Sequence, residues 1–262
     1  MAPEISTPAI LLRRSEYGDF DLILTCLTLS QGKMSMLAKY AKKSKKRFAG
    51  ALELFTKLDL VWSRPRGRAM PILREASVSN PFAAIRSDVL KTAYASYWTE
   101  MINLWLESGT RQDAVFDLLH YALDALDRET LNAKALSVIF QVRFLNLAGI
   151  LPDFRHCSRC RNSIETMRSG GFGFDIAKGG LICPSCQSAA ARGRRPLSKG
   201  SIMQLRWVAE VDLRQAERMR FGPRQLSEAT ALLEAFIPYH MGRFPRSLKF
   251  LSQIRPSTEK GI

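Results

Sequence analysis

Two Cys-x-x-Cys knuckles constrain this chain more than any other feature. Cys157-Ser-Arg-Cys160 and Cys183-Pro-Ser-Cys186 are separated by 22 residues, and no other cysteine lies near them. Four thiolates in two close pairs can converge on one tetrahedral Zn²⁺, each pair gripping one edge of the tetrahedron. The two-residue spacer lets the backbone turn sharply enough to aim both sulfurs at one ion. Gly170, Gly171, Gly173, Gly179 and Gly180 fall inside the gap and suit a short hairpin that returns the second knuckle to the first. The competing readings are two disulfides or a redox dithiol. The spacing, and a start (Met1–Thr7) without the pattern of a secretion signal, favour metal. A four-thiolate site leaves no coordination position for substrate, so the expected role is structural.

The rest of the composition narrows the partners. The net charge is +15 over 262 residues, and a strongly basic protein in a reducing cytoplasm is expected to meet a polyanion, most commonly nucleic acid. No apolar run approaches the ~20 residues needed to span a bilayer. A cationic amphipathic helix and a lipidation motif are also missing, so membrane is not an expected partner. The fifth cysteine, Cys26, lies in the apolar run Leu22–Leu27 and reads as a small buried residue.

Along the chain, residues 1–80 read as the short strands of a small β-barrel. Apolar stretches at Ala9–Arg13, Asp21–Leu29, Lys33–Ala38, Ala51–Phe55, Leu58–Trp62 and Pro71–Val78 are punctuated by turns at Tyr17–Asp19 and Gln31–Gly32. Helical periodicity takes over after Ser79-Asn-Pro-Phe82. Helices are expected from a cap at Ser87 or Asp88 to about Glu107, over Gln112–Leu126 and over Thr130–Ala148. The last carries an apolar stripe of Ala135, Leu136, Ile139, Phe140, Phe144, Leu147 and Ala148. The metal module interrupts at 153–190. Helices resume over Lys199–Met219 and Pro223–His240, with a short one from Arg246 and a frayed tail at 256–262. The expected division is therefore 1–80, a helical domain in two parts (81–152 and 191–255), the inserted module and the tail, in the α+β class.

The basic loop after the third strand is the main candidate for binding. Lys39, Lys42, Lys43, Lys45, Lys46 and Arg47 place six cations in nine residues. Such a cluster neutralises phosphates and releases counterions, and Tyr40 and Phe48 offer rings for stacking on bases. Arg64, Arg66, Arg68 and Arg74 recur on the same predicted barrel. The plain alternative is a solvated charged face with Phe48 buried. A second set, Arg192, Arg194, Arg195 and Lys199, follows the metal module and fits either DNA or an acidic partner.

Evidence for catalysis is thin. There is no Gly-x-x-x-x-Gly-Lys-Ser/Thr phosphate loop, and Gly171-Phe-Gly173 lacks the third glycine of a dinucleotide fingerprint because Ile176 stands there. Of the three histidines (His120, His156 and His240), His156 abuts Cys157 and is an alternative ligand, although four cysteines already complete the site; His120 reads as an ordinary core or surface histidine, and no nucleophile is paired with a base. The chain is therefore not expected to be an enzyme.

Several strings resemble the bacterial RecO family of recombination mediators. They are Glu16-Tyr-Gly-Asp-Phe-Asp-Leu-Ile-Leu-Thr25, Gln31-Gly-Lys-Met-Ser-Met-Leu-Ala-Lys39 before the basic loop, and Phe48-Ala-Gly-Ala-Leu-Glu-Leu-Phe55 after it. Phe144-Leu-Asn-Leu-Ala-Gly-Ile-Leu-Pro-Asp153 precedes the first knuckle, and Pro238–Arg243 with Arg246–Leu248 closes the chain. One departure is Tyr40, where the family pattern has glycine. The resemblance implies an N-terminal OB-fold and a helical domain without catalytic turnover. It implies binding to single- and double-stranded DNA, annealing of complementary strands, partnership with RecR, and loading of RecA onto DNA coated by single-strand-binding protein (SSB). It also implies capture of the acidic, Phe-ended SSB tail. For that tail the expected apolar floor is Phe140, Phe144, Leu232 and Phe236, and the expected cationic rim is Arg143, Arg243 and Arg246. A zinc-ribbon regulator of transcription or RNA, with the helices as a dimerisation unit, is the alternative.

Overall fold

The computed structural model describes residues 3–255 except 45, 49, 66, 68, 168, 169 and 188–194. Five strands come first: β1 (Glu4–Tyr17), β2 (Asp21–Thr28), β3 (Gly32–Ala38), β4 (Lys57–Ser63) and β5 (Ile72–Asn80). They close into a barrel in the order β1-β2-β3-β5-β4, with β1 pairing β4 and a parallel β3–β5 contact at Leu37 and Ile72. This is the connectivity of an OB-fold. The interior follows from two-residue alternation: Leu22, Leu24 and Cys26 on β2, Met34, Met36 and Ala38 on β3, and Leu58, Leu60 and Trp62 on β4 all enter one core.

The apolar stretch Ala51–Phe55 is not a strand. Phe48, Ala51 and Leu52 are drawn into the barrel core from an irregular segment. Positive φ at Gly50 (67°) and Phe55 (70°) turns the chain too sharply for extended pairing. Phe55 N–H donates to the Leu11 carbonyl at 3.0 Å, and Leu11 N–H to the Thr56 carbonyl at 3.1 Å, so the segment is stitched onto β1.

The helices are α1 (Ala83–Ser87), α2 (Val89–Trp105), α3 (Asp113–Asp127), α4 (Ala133–Leu147), α5 (Lys199–Glu210), α6 (Leu213–Ala216), α7 (Pro223–Met241) and α8 (Arg246–Ile254). Asp88 caps α2 by accepting from Lys91 N–H, and Asn132 caps α4 by accepting from Lys134 and Ala135 N–H. The helix expected over Lys199–Met219 is broken, because Asp212 caps a new start by accepting from Gln215 N–H.

The chain divides into two compact units that cut across the sequence boundaries at 80 and 190. One is Met1–Arg128 with Pro245–Ile262; the other is Glu129–Phe244. In the first, α2 packs on β1, and α8 packs on α2. Ile10 and Leu12 alternate with the barrel-interior residues Ala9 and Leu11 yet are also buried. The outer face of β1 is therefore a second apolar surface, which ties the neighbouring helices to the barrel. Gly32 holds the barrel to the segment after α2, since a Cβ there would lie 1.8 Å from the Thr110 carbonyl oxygen.

In the second unit, α4 contacts α5 and α7. It is buried on nearly every side, including Ser137, Val138, Gln141 and Val142, rather than along one stripe, and Leu147 is exposed. Gln141 satisfies its buried amide by donating to the Ser137 carbonyl (3.0 Å) and hydroxyl (3.1 Å). A four-stranded sheet completes this unit: β6 (Asp153–Cys157), β7 (Phe172–Asp175), β8 (Gly180–Ile182) and β9 (Arg195–Leu197), in the order β6-β8-β7-β9. Among the described residues no helix is long and apolar enough to cross a membrane.

Candidate metal centre and nucleic-acid interface

The two knuckles meet because β6 and β8 run parallel and end side by side. Cys157 closes β6, and Cys183 directly follows β8. The glycine-rich gap forms the β7–β8 hairpin, with Gly179 in the left-handed region at its turn (φ 63°). Arg161, also left-handed (φ 62°), folds back so that its N–H donates to the Cys157 carbonyl at 2.9 Å, which shapes the first knuckle.

All four sulfurs lie within 4.8 Å of one another. Cys160 and Cys183 Sγ are 3.8 Å apart, and a tetrahedral ion with metal–sulfur bonds of ~2.3 Å spans an edge of about 3.8 Å. The set therefore fits zinc. No disulfide joins any of the five cysteines, and four sulfurs converging on one point suit an ion better than two separate bridges.

The electrostatics of the cluster favour a cation. Burial opposes ionisation of Cys157, yet backbone N–H groups of Cys160, Cys183 and Arg159 together outweigh it and bring the thiol down to about 6. The Cys183 and Cys160 sulfurs in turn push Cys186 up to about 12. The Cys157 thiolate forms readily while Cys183 and Cys186 resist ionisation, a conflict that a bound dication removes. Cys26, by contrast, is sealed in the barrel, and burial pushes its thiol up to about 12.

The basic loop lies on the first unit. Lys39, Lys42, Lys43, Lys46, Arg47 and Arg64 are exposed; Lys45, Arg66 and Arg68 lie outside the described residues, as do Arg192 and Arg194 of the second set. The loop is anchored to the barrel. Arg47 donates to the Lys39 carbonyl at 2.9 Å, and the Arg47 carbonyl accepts from Ala76 N–H on β5 at 3.1 Å. Lys42 pairs with exposed Glu16 at 3.1 Å, which offsets one of the cations. Of the two rings expected to meet bases, Phe48 is only 3% exposed and belongs to the barrel core, whereas Tyr40 is 60% exposed. The sequence reading missed Phe20, which lies parallel to Tyr40 (centroids 6.2 Å apart, 14° between planes) and carries the Lys43 ammonium 3.6 Å from its ring centre.

The expected partner pocket does not form from the residues chosen for it. Phe140 and Phe144 stack on each other, and together with Leu232 and Phe236 they are no more than 2% exposed. These are core side chains because α4 and α7 pack together, leaving no floor open to a ligand. Arg143 donates to the Ala209 carbonyl at 3.3 Å, and Arg246 belongs to the other unit. Arg243 does border an open groove of about 690 Å³ beside α7, together with Arg195, Pro238, Tyr239 and Phe244. Tyr239 (57%) and Phe244 (62%) are exposed aromatics there, which apolar periodicity alone does not single out. Two of the histidines have ordinary settings: His240 Nε2 donates to the Ile176 carbonyl at 2.9 Å and its ring packs on Phe236, while His156 meets Asp153 at 3.1 Å rather than joining the sulfur cluster.

Comparison with known families agrees with this architecture. The model for the recombination protein O N terminal region matches residues 1–82, and that for the C terminal region matches residues 86–249. The chain belongs to the RecO family. The DNA repair protein RecO of Desulfosudis oleivorans is 47% identical over 257 residues, covering 97% of this chain and 99% of the relative. That of Desulfatibacillum aliphaticivorans is 42% identical over 254 residues, covering 97% and 98%. That of Anaeromyxobacter sp. (strain K) is 32% identical, covering 96% and 97%.

The expectation of glycine at position 40 has a structural counterpart. Tyr40 holds the left-handed conformation (φ 55°, ψ 28°) that glycine adopts freely. For a tyrosine this costs roughly 1–2 kcal/mol. Its N–H donates to Asp21 Oδ1 at 2.7 Å, which holds the turn with tyrosine in place.

Proposed function

We propose that this protein is a non-catalytic recombination mediator. It binds single- and double-stranded DNA, anneals complementary strands, and helps load RecA onto SSB-coated DNA in recombinational repair, acting in the cytoplasm at the nucleoid with RecR. The observation that carries this reading is the anchored, exposed cation set (Lys39, Lys42, Lys43, Lys46, Arg47 and Arg64) on an OB-fold barrel, in a chain whose relatives are named for DNA repair. Phosphates neutralised along such a rim bring two polyanionic strands together without chemistry being done on either. Lys45, Arg66 and Arg68 extend the same set in sequence.

The metal held by Cys157, Cys160, Cys183 and Cys186 is one Zn²⁺ per chain. It joins the ends of β6 and β8 and contributes to folding rather than to turnover.

The acidic SSB tail needs a ring pocket and cations together. The groove with Arg195, Arg243, Tyr239 and Phe244 supplies both in the second unit, in place of the buried floor expected from sequence.

The decisive experiment is strand annealing by the purified protein, with bare and with SSB-coated complementary strands. The reading requires faster annealing than the spontaneous reaction and persistence on SSB-coated strands. Annealing no faster than the spontaneous rate would refute it.

A further inference from the structure

The Phe20–Tyr40–Lys43 group does not look like a folding device. Tyr40 pays for a left-handed backbone that glycine would adopt without cost. It also leaves most of its ring in water, at 60% exposure, so burial returns little of that cost. A strained, exposed aromatic inside a cation cluster points to a ligand with a flat face and negative charge. The ring is backed by Phe20, nearly parallel at 14°, and Phe20 carries the Lys43 ammonium 3.6 Å from its centre. The main-chain bond to Asp21 fixes the direction in which Tyr40 leaves the turn. Lys39 and Lys42 flank it in sequence and are exposed.

We infer that Tyr40 is a stacking platform for one unpaired nucleobase, with Lys39, Lys42 and Lys43 taking the adjoining phosphates. This rests on the single-strand binding proposed above and adds to it a chemical basis for distinguishing strands. Paired bases have both faces occupied by their neighbours in the duplex; only an unstacked base offers a face to the ring. The platform therefore favours single strands without reading sequence, because every base has a π-face. It also lets Tyr40 hold a base out of the way of its neighbours while the cations hold the backbone.

The test uses the full-length protein with three fluorescent probes of equal length: oligothymidylate, an abasic phosphodiester strand, and duplex. Tyr40→Ala and Tyr40→Gly should each weaken oligothymidylate binding roughly 5- to 100-fold, leave abasic and duplex binding unchanged, and keep the salt dependence of wild type. Tyr40→Phe should retain wild-type binding. Tyr40→Gly suits the left-handed backbone, so a folding defect cannot account for its loss. Equal oligothymidylate binding by wild type and Tyr40→Gly overturns the platform and leaves the DNA-binding reading intact. An equal loss on all three probes also overturns it, because loop shape or charge would then be responsible. Failure of the wild type to bind any strand overturns both.

Discussion

Glu100, inside α2, caps the N-terminus of α8 through Ser247, which follows it by 147 residues in the sequence. The carboxylate accepts from the backbone N–H of Ser247 at 2.8 Å, from its hydroxyl, and from the N–H of Arg246 at 3.1 Å. The residue at the local cap position is Pro245, which makes no side-chain cap bond. A tertiary contact therefore replaces the missing local one, and it docks the chain's last described helix on the barrel-bearing unit. Glu100→Ala should lower unfolding free energy by about 1–2 kcal/mol. Glu100→Gln should cost less, because it keeps an acceptor and loses only the charge opposite the helix dipole. Urea unfolding measures both; wild-type stability of Glu100→Ala would show that the cap contributes nothing.

The metal prediction follows from the sulfur geometry. Wild type should carry one zinc per chain by elemental analysis, and Cys157→Ser should carry well under one. The same variant should melt several degrees lower, since the ion joins the ends of β6 and β8. DNA affinity should fall less than stability, because the cation loop lies on the other unit. Full occupancy at wild-type stability would count against these ligands.

Binding to single strands should be electrostatic in its salt dependence. If ~4 to 6 cations meet phosphates, log K should fall with log salt at a slope of about −3 to −4. Replacing Lys43, Lys46 and Arg47 together by glutamine should flatten that slope and slow annealing. A slope that stays the same would move the site away from this loop.

His120 makes stability depend on pH. Burial, and then the Lys57 ammonium whose Nζ lies 3.5 Å from Nε2, hold its pKa below the ordinary histidine value, while Asp124 and Asp117 pull the other way. The unfolded chain takes up the proton near pH ~6.5, the folded one only at lower pH. The neutral ring's contribution is therefore fully present above pH ~6.5 and is lost as pH falls through the lowered folded value. Unfolding free energy measured from neutral to mildly acidic pH should fall less steeply in His120→Gln. Identical pH profiles would exclude His120 as the source.

The groove beside α7 should take an acidic peptide. A labelled SSB tail peptide is expected to lose at least tenfold in affinity for an Arg195→Glu, Arg243→Glu double variant. Tyr239→Ala should weaken it by a smaller factor. Equal binding by the wild type and a folded double variant would place the tail elsewhere.

The parts legible in the sequence are those whose cause is local. Two-residue spacing between cysteines aims both sulfurs of a knuckle whatever surrounds them. Two-residue alternation is strict on β3, and over most of β2 and β4 it sends every second residue inward as in any closed barrel. Asp88, expected with Ser87 as a cap, bonds within the first turn of its own helix. These observations were enough to expect a barrel, helices and a metal module.

Tertiary structure decided what depends on residues distant in the chain. Phe140 and Phe144 show the same periodicity whether they face a ligand or a neighbouring helix, and only the packing of α4 against α7 makes them core. Phe48 and Tyr40 both sit by the basic loop; the barrel takes one into its interior and leaves the other exposed. The Glu100 cap on α8 has no sequence signal, because nothing at Pro245 announces it. Spacing and period are set by bonds along the chain, so sequence determines them. Burial and partner choice are set by which distant segment arrives beside a residue, and only the folded chain specifies that.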